Sequence, residues 1–142
     1  MLTERQVALV QGTFDLIAPI ADDAAVLFYS RLFELDPGLR RLFKSDMREQ
    51  RVKLMQMLTA AVKGLNRLDR LVPVVEGLGR RHAAYGVSDA HYQTVGEALL
   101  WTLEMGLGKG FTPEVRAAWA EVYGLLASTM RHAAAKYDAV IA

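Results

Sequence analysis

The side chains able to hold a metal or move a proton are few in this chain. Cysteine is absent, which removes thiolate nucleophiles, disulfides and every Cys-ligated zinc or iron–sulfur site, and suits a reducing compartment. Any metal must then be held by nitrogen or oxygen. The three histidines, His82, His91 and His132, include no pair at the i, i+3 or i+4 spacing that sets two ligands on one helix face. A bare zinc site is therefore not expected. Carboxylates fall mostly at helix starts and on outer faces, so no acid/base pair stands out. There is no G-x-S-x-G elbow. The run Gly106-Leu107-Gly108-Lys109-Gly110 follows no strand, so it reads as a turn between helices and not as a phosphate loop. A basic cluster, Arg40, Arg41, Lys44, Arg48, Arg51 and Lys53, is interrupted by Asp46 and Glu49 and interleaved only with Phe43. That pattern does not point to nucleic acid.

One histidine stands out by its setting. His82 ends a line of Leu71, Val75 and Leu78 at helical spacings of four, three and four, closed by Gly86 in an expected left-handed C-terminal position. The elements around it carry helix punctuation throughout, with no strict apolar/polar alternation, so the expected class is all-α. Thr3 with Gln6 makes a capping box ahead of Val7, Val10, Phe14 and Ile17, and this helix ends near Pro19. Asp22 or Asp23 opens a second helix with Ala25, Phe28 and Leu32 on one face and Tyr29 and Phe33 beside it. Asp36 caps Pro37 and a short helix to about Phe43. Asp46 and Glu49 start the next, with Met55, Leu58, Val62 and Leu65 aligned, Gln50 and Leu54 on an adjacent line, and Asn66 as its stop. Asp69 opens the helix of His82. Ser88 or Asp89 opens one with Tyr92, Val95, Leu99 and Leu103, and Thr112-Pro113 caps the last, with Val115, Trp119, Val122, Leu126 and Met130 inward. Seven helical segments result, one of them short, with no linker or repeat in the 142 residues. A lone imidazole closing an apolar stripe is either a satisfied core histidine or the sole protein ligand of a haem, whose porphyrin brings four nitrogens of its own. His91, beside a helix start, and His132, near the C-terminus, carry only the first reading.

Five segments carry a resemblance that favours the second reading for His82. Phe28-Tyr29-Ser30-Arg31-Leu32-Phe33, Asp36-Pro37 through Leu42-Phe43, Arg81-His82-Ala83-Ala84-Tyr85-Gly86-Val87, His91-Tyr92-Gln93-Thr94-Val95-Gly96 and Ala118-Trp119-Ala120-Glu121-Val122-Tyr123-Gly124 resemble the globin family. The likeness is to bacterial single-domain globins related to flavohaemoglobins, and it covers nearly the whole chain. Pro37 stands six residues before Phe43 and Tyr29 fourteen, as in globins. The resemblance implies a single globin domain, 1–142, enclosing haem b (iron protoporphyrin IX). It matches His82 to the proximal ligand of the iron, Phe43 to the aromatic wedged against the porphyrin, and Tyr29 and Gln50 to the distal residues that contact bound gas. Leu54 would close the distal pocket, Leu78, Val87 and Val95 would line the proximal side, and Lys53 would pair with a haem propionate. Tyr92 matches a tyrosine beneath the proximal histidine. Ordinary core packing is the competing reading for the apolar members of this set.

Two departures limit the inheritance. The flavin and nicotinamide domains of flavohaemoglobins are expected to be lacking, so electrons are expected from an external reductase. The proximal glutamate of the flavohaemoglobin group is matched here by Ala134. With no carboxylate there, His82 is expected to donate its second ring N–H to a carbonyl such as that of Leu78, leaving a neutral imidazole suited to reversible binding. Composition agrees with a globular protein: 52% hydrophobic, 23% charged and a net charge of +1 give no global pull toward nucleic acid or an anionic membrane. The longest apolar run, Ala24 to Tyr29, is too short for a membrane span, and the first residues lack the form of a signal peptide. A cytoplasmic location follows as an expectation, with either a monomer or a homodimer, for which Trp101 is a candidate contact. The leading expectation is reversible binding of O₂, NO and CO. An NO dioxygenase served by a reductase, a gas sensor and a haem-free interaction module are the alternatives.

Overall fold

In the computed structural model, which describes residues 2–44 and 46–141 and side chains as far as residue 136, no strand occurs among the described residues. Met1 and Ala142, the ends of the expected domain, lie outside them. The described chain runs through α1 (Glu4–Ile17), α2 (Ala21–Leu35), α3 (Met47–Lys63), α4 (Leu68–Ala84), α5 (Asp89–Leu107) and α6 (Pro113–Ile141). Caps read from the sequence act as expected at three helix starts. Thr3 Oγ1 accepts from the Gln6 amide at 3.0 Å while the Thr3 amide donates to Gln6 Oε1 at 3.0 Å. Asp46 accepts from the Arg48 amide at 2.9 Å, and Thr112 from that of Val115 at 3.2 Å. His91 completes a similar box at α5, its Nδ1 accepting from the Ser88 amide at 3.0 Å. Each such bond satisfies an amide that the helix itself leaves unpaired.

Elsewhere the boundaries shift by a residue or more, for local reasons. Pro19 sits in a 3-10 turn, Ala18–Ile20, that carries the chain from α1 almost directly into α2. Asp22 and Asp23 thus lie in the first turn of α2, where they oppose the helix dipole, and do not cap it. The segment Pro37–Leu42 is 3-10 helical, started by Asp36 accepting from the Gly38 amide at 3.1 Å. α4 begins at Leu68, one residue ahead of Asp69. Gly108 (φ +54°) and Gly86 (φ +91°) take the positive-φ positions that follow α5 and α4. The glycine run is thus the helix-to-helix turn that its sequence suggested.

Packing explains which helices meet. α4 lies on α6, α2 on α5, α1 on α6, and α2 also touches α3. The largest fully buried side chains are Trp119, Leu32, Val10 and Val122, and Trp119 Nε1 donates to Thr13 Oγ1 at 2.9 Å, tying α6 to α1. Two glycines let helices approach closely. A Cβ on Gly79 would stand 2.4 Å from the Met130 carbonyl oxygen, and one on Gly96 would stand 2.7 Å from the Tyr123 ring. By contrast α3 and α4, consecutive and joined by the turn Gly64–Asn66, make little contact with each other. His82 is carried by α4, and Gln50, Lys53 and Leu54 by α3. No helix among the described residues is long and apolar enough to cross a membrane.

Candidate functional site

His82 sits in the last turn of α4, below Leu71 and Val75, which are buried, and Leu78, which is partly so. Its Nδ1 donates to the Leu78 carbonyl at 2.9 Å, a bond within reach because residues four apart stack on one helix face. With Nδ1 carrying the proton, the lone pair rests on Nε2. Burial pushes the imidazole pKa below its ordinary value, the Leu78 bond opposes that shift, and the charge of Arg81 adds to it. The ring is therefore neutral near pH 7, the form that binds metals.

The second half of the site comes from α2 and α3. Tyr29 is buried, and Gln50 Nε2 donates to its Oη at 3.2 Å. These residues are 21 positions apart and meet only because α2 packs against α3. The hydroxyl hydrogen of Tyr29 is left for another acceptor. Burial holds the phenol pKa above its ordinary value, with the Gln50 bond working against the shift, so Tyr29 stays protonated. Phe43 meets Tyr29 edge-on at 5.4 Å between centroids, and Phe33 at 5.6 Å. Phe28 and Phe33 are thus supports of the tyrosine that the sequence reading did not assign. Their signal was present, since Tyr29 and Phe33 are four apart on one helix.

The remaining candidates divide. Phe43, Leu54, Leu78, Val87 and Val95 are all only partly buried although apolar, each packed on the edge of the core. Each of them thus leaves part of its apolar surface uncovered. Lys53 is exposed and forms no ion pair among the described residues. Tyr92 is buried, and its hydroxyl has no hydrogen-bond partner among them. Burial raises its pKa first, Asp89 adds to that, and Arg131 opposes it. No hydrogen bond joins Tyr92 to His82. Instead the Tyr123 hydroxyl donates to the Tyr92 backbone carbonyl. Ala134 offers no acid, and the charge nearest these two tyrosines from α6 is the cation of Arg131. Of the other histidines, His91 caps α5 and His132 is exposed.

No group of three or more His, Asp or Glu side chains gathers to hold a bare metal ion among the described residues. The donor set is one neutral, partly buried imidazole, accompanied by a set of half-covered apolar side chains. That suits a flat apolar group which brings most of its own ligands.

An all-α architecture carrying these residues defines a class, and comparison with known proteins places the chain within it. The globin family profile matches residues 26–130, and the chain belongs to the globin family. It is 32% identical to the neuroglobin of Tetraodon nigroviridis over 95% of this chain and 94% of that one. It is 28% identical to the flavohemoprotein of Bacillus subtilis over 89% of this chain, but only 33% of that protein. Among solved structures, an engineered carbene transferase made from a candidate nitric oxide dioxygenase of Rhodothermus marinus superposes with a TM-score of 0.89 at 28% identity, covering 99% of each chain.

Proposed function

We propose that this globin binds haem b between α3 and α4, where His82 would hold the iron through Nε2, and that it reversibly binds O₂ and other diatomic gases such as NO and CO. The observation that supports the reading is the neutral, oriented His82 imidazole on α4, together with the Tyr29–Gln50 pair that joins α2 to α3. Haem, when bound, supplies an iron with one open coordination position for a gas molecule. His82 presents its lone pair in one orientation because the Leu78 carbonyl holds the opposite nitrogen. Tyr29 donates its hydroxyl hydrogen to the polar end of the ligand. Gln50, by donating to the Tyr29 oxygen, polarises that hydroxyl and fixes its direction. Phe43, Leu54, Leu78, Val87 and Val95 cover the apolar faces of the group and exclude water. Lys53, exposed and in no ion pair among the described residues, would meet a propionate, and Tyr92 would lie beneath the histidine.

Titrating haem into the purified protein tests this directly. The expected result is a Soret band and a holo form that melts well above the apo form, since a ligand at 1,000 times its Kd adds about 4 kcal/mol to the folded state. Absence of the band would sink the proposal.

One observation favours a second reading: the structural similarity to the Rhodothermus protein, named as a candidate nitric oxide dioxygenase. In that reading the same site consumes NO with O₂, and a separate reductase restores the ferrous iron. The carrier reading is preferred because His82 bonds a neutral carbonyl and Ala134 supplies no carboxylate to enrich the imidazole in electrons. Sustained NO consumption by the pure protein with NADH and no added reductase would reverse that preference.

A further inference from the structure

The net charge of +1 conceals a segregation of sign along the chain. The stretch from Pro37 to Ala84, which holds the 3-10 segment, α3 and α4, carries eleven Lys and Arg against four Asp and Glu, a net of +7. The residues before and after it carry six against twelve, a net of −6. The fold keeps the cations of this stretch outside. Arg40, Arg41, Lys44, Arg48, Arg80 and Arg81 are all exposed, and none forms an ion pair among the described residues. Exposed charges of one sign without counter-ions raise the local potential and leave it available to a partner.

These cations border the residues assigned to the site. The Arg40 guanidinium lies 5.4 Å from the centroid of the Phe33 ring, and that ring packs against Phe43 at 5.6 Å and Tyr29 at 6.0 Å. Arg41 and Lys44 bracket Leu42 and Phe43 in the chain. Arg81 precedes His82, and its charge is felt at the imidazole. A Cβ on Gly77 would stand 3.7 Å from Arg80 Nη2 and 3.8 Å from Arg81 Nη1. Two guanidinium groups therefore meet above one glycine of α4, and an acidic side chain from outside would relieve their repulsion.

We propose that the cationic surface between Pro37 and Ala84 docks a small acidic protein that carries one electron and reduces the haem iron. This deepens the haem-binding reading above and rests on it. The step makes and breaks no bond: one electron leaves the reduced carrier and turns ferric iron ferrous. An extended polyanion such as duplex DNA or an anionic membrane fits less well. Asp46, Glu49, Asp69 and Glu76 interrupt the cations, and a long anionic surface would also meet the net −6 remainder. A small protein meets the cationic part alone.

The probe is a plant-type [2Fe–2S] ferredoxin, an acidic one-electron carrier. Its binding to the apo protein is followed by NMR titration at about 20 and 200 mM salt, and its reduction of the ferric holo protein by anaerobic stopped flow. Affinity and rate should both fall about tenfold as salt rises. Arg41→Glu with Lys44→Glu should lower both about tenfold at low salt while leaving the Soret band intact. Lys109→Glu with Arg116→Glu, exposed positions outside the stretch, makes the same change in net charge and should alter both by less than about twofold. Arg80→Glu repeats the test on α4 should the first variant not fold. Equal losses in the two double variants, or binding indifferent to salt, would overturn the docking surface. Tighter binding of duplex DNA or phosphatidylserine vesicles than of ferredoxin at the same salt would overturn the choice of partner. Ferredoxin binding to the apo chain that charge reversal weakens supports the surface even if no Soret band forms, whereas absence of binding rejects it even if the band forms.

Discussion

Replacing Tyr29 with phenylalanine takes one hydroxyl from the distal wall and leaves its ring packing in place. The aromatic partners remain, Phe28, Phe33 and Phe43 at 5.0, 6.0 and 5.4 Å between centroids. Gln50, the hydroxyl's partner, is only partly buried and can turn its amide toward solvent. The variant should therefore fold and take up haem, and the effect should fall on the gas. O₂ carries partial negative charge when bound to ferrous iron, and a hydrogen bond to a charged group is worth ~1.5–3 kcal/mol, or about 10- to 100-fold in equilibrium. We expect O₂ dissociation to accelerate by that factor in Tyr29→Phe, with CO dissociation changing much less. Gln50→Leu removes a neutral bond made to the tyrosine oxygen, worth ~0.5–1.5 kcal/mol, so about a 2- to 12-fold acceleration follows. Because the two side chains touch at 3.2 Å, the double variant should fall short of the product of the singles. Stopped-flow O₂ dissociation from the reduced holo protein measures all three. Unchanged rates in both single variants, or a larger effect from Gln50 than from Tyr29, would refute the donor relay.

Further outcomes are expected. His82→Ala should lose haem to an apomyoglobin scavenger far faster than the parent, whereas His132→Ala should not. His91→Ala should cost about 1 kcal/mol of α5 capping in a melting experiment, with haem retention unchanged. Acidification should weaken both fold and haem retention through His82. Its folded pKa is depressed mainly by burial, so below about 6.5 the unfolded chain binds the extra proton first. This contribution to stability is complete above that pH and is lost as pH falls through the folded value, and a Soret-monitored pH titration of the parent shows it as haem release. Gly79→Ala should destabilise by ~1–3 kcal/mol and speed haem loss, because its Cβ would meet the Met130 backbone at 2.4 Å and push the helix of His82 off α6. Gly124→Ala, with nothing within 4 Å, should raise the melting temperature, as removing a mid-helix glycine gains about 0.5–1 kcal/mol.

The secondary structure and one half of the site were legible from local spacing. Thr3 with Gln6, Asp46 and Thr112 announced their helix starts, because a cap is a contact between residues two or three apart. The bond from His82 to the Leu78 carbonyl was predictable for the same reason, since a helix brings residues four apart together whatever surrounds it. Long-range features behaved differently. Spacing alone could not pair Tyr29 with Gln50, and the resemblance to globins that suggested both as distal residues was silent on which would donate to the other. Nor could it show that Pro37–Leu42 winds as a 3-10 helix, or that Trp101 lies beneath the Arg31 guanidinium, 5.3 Å from its ring centroid. Helix separations are likewise long-range: α3 and α4 make little contact, while α4 closes on α6 over Gly79 and α5 on α6 over Gly96. Helix geometry is encoded residue by residue along the chain. Helix separation is set by the volumes of side chains brought together from distant positions, and these become defined only when the core packs.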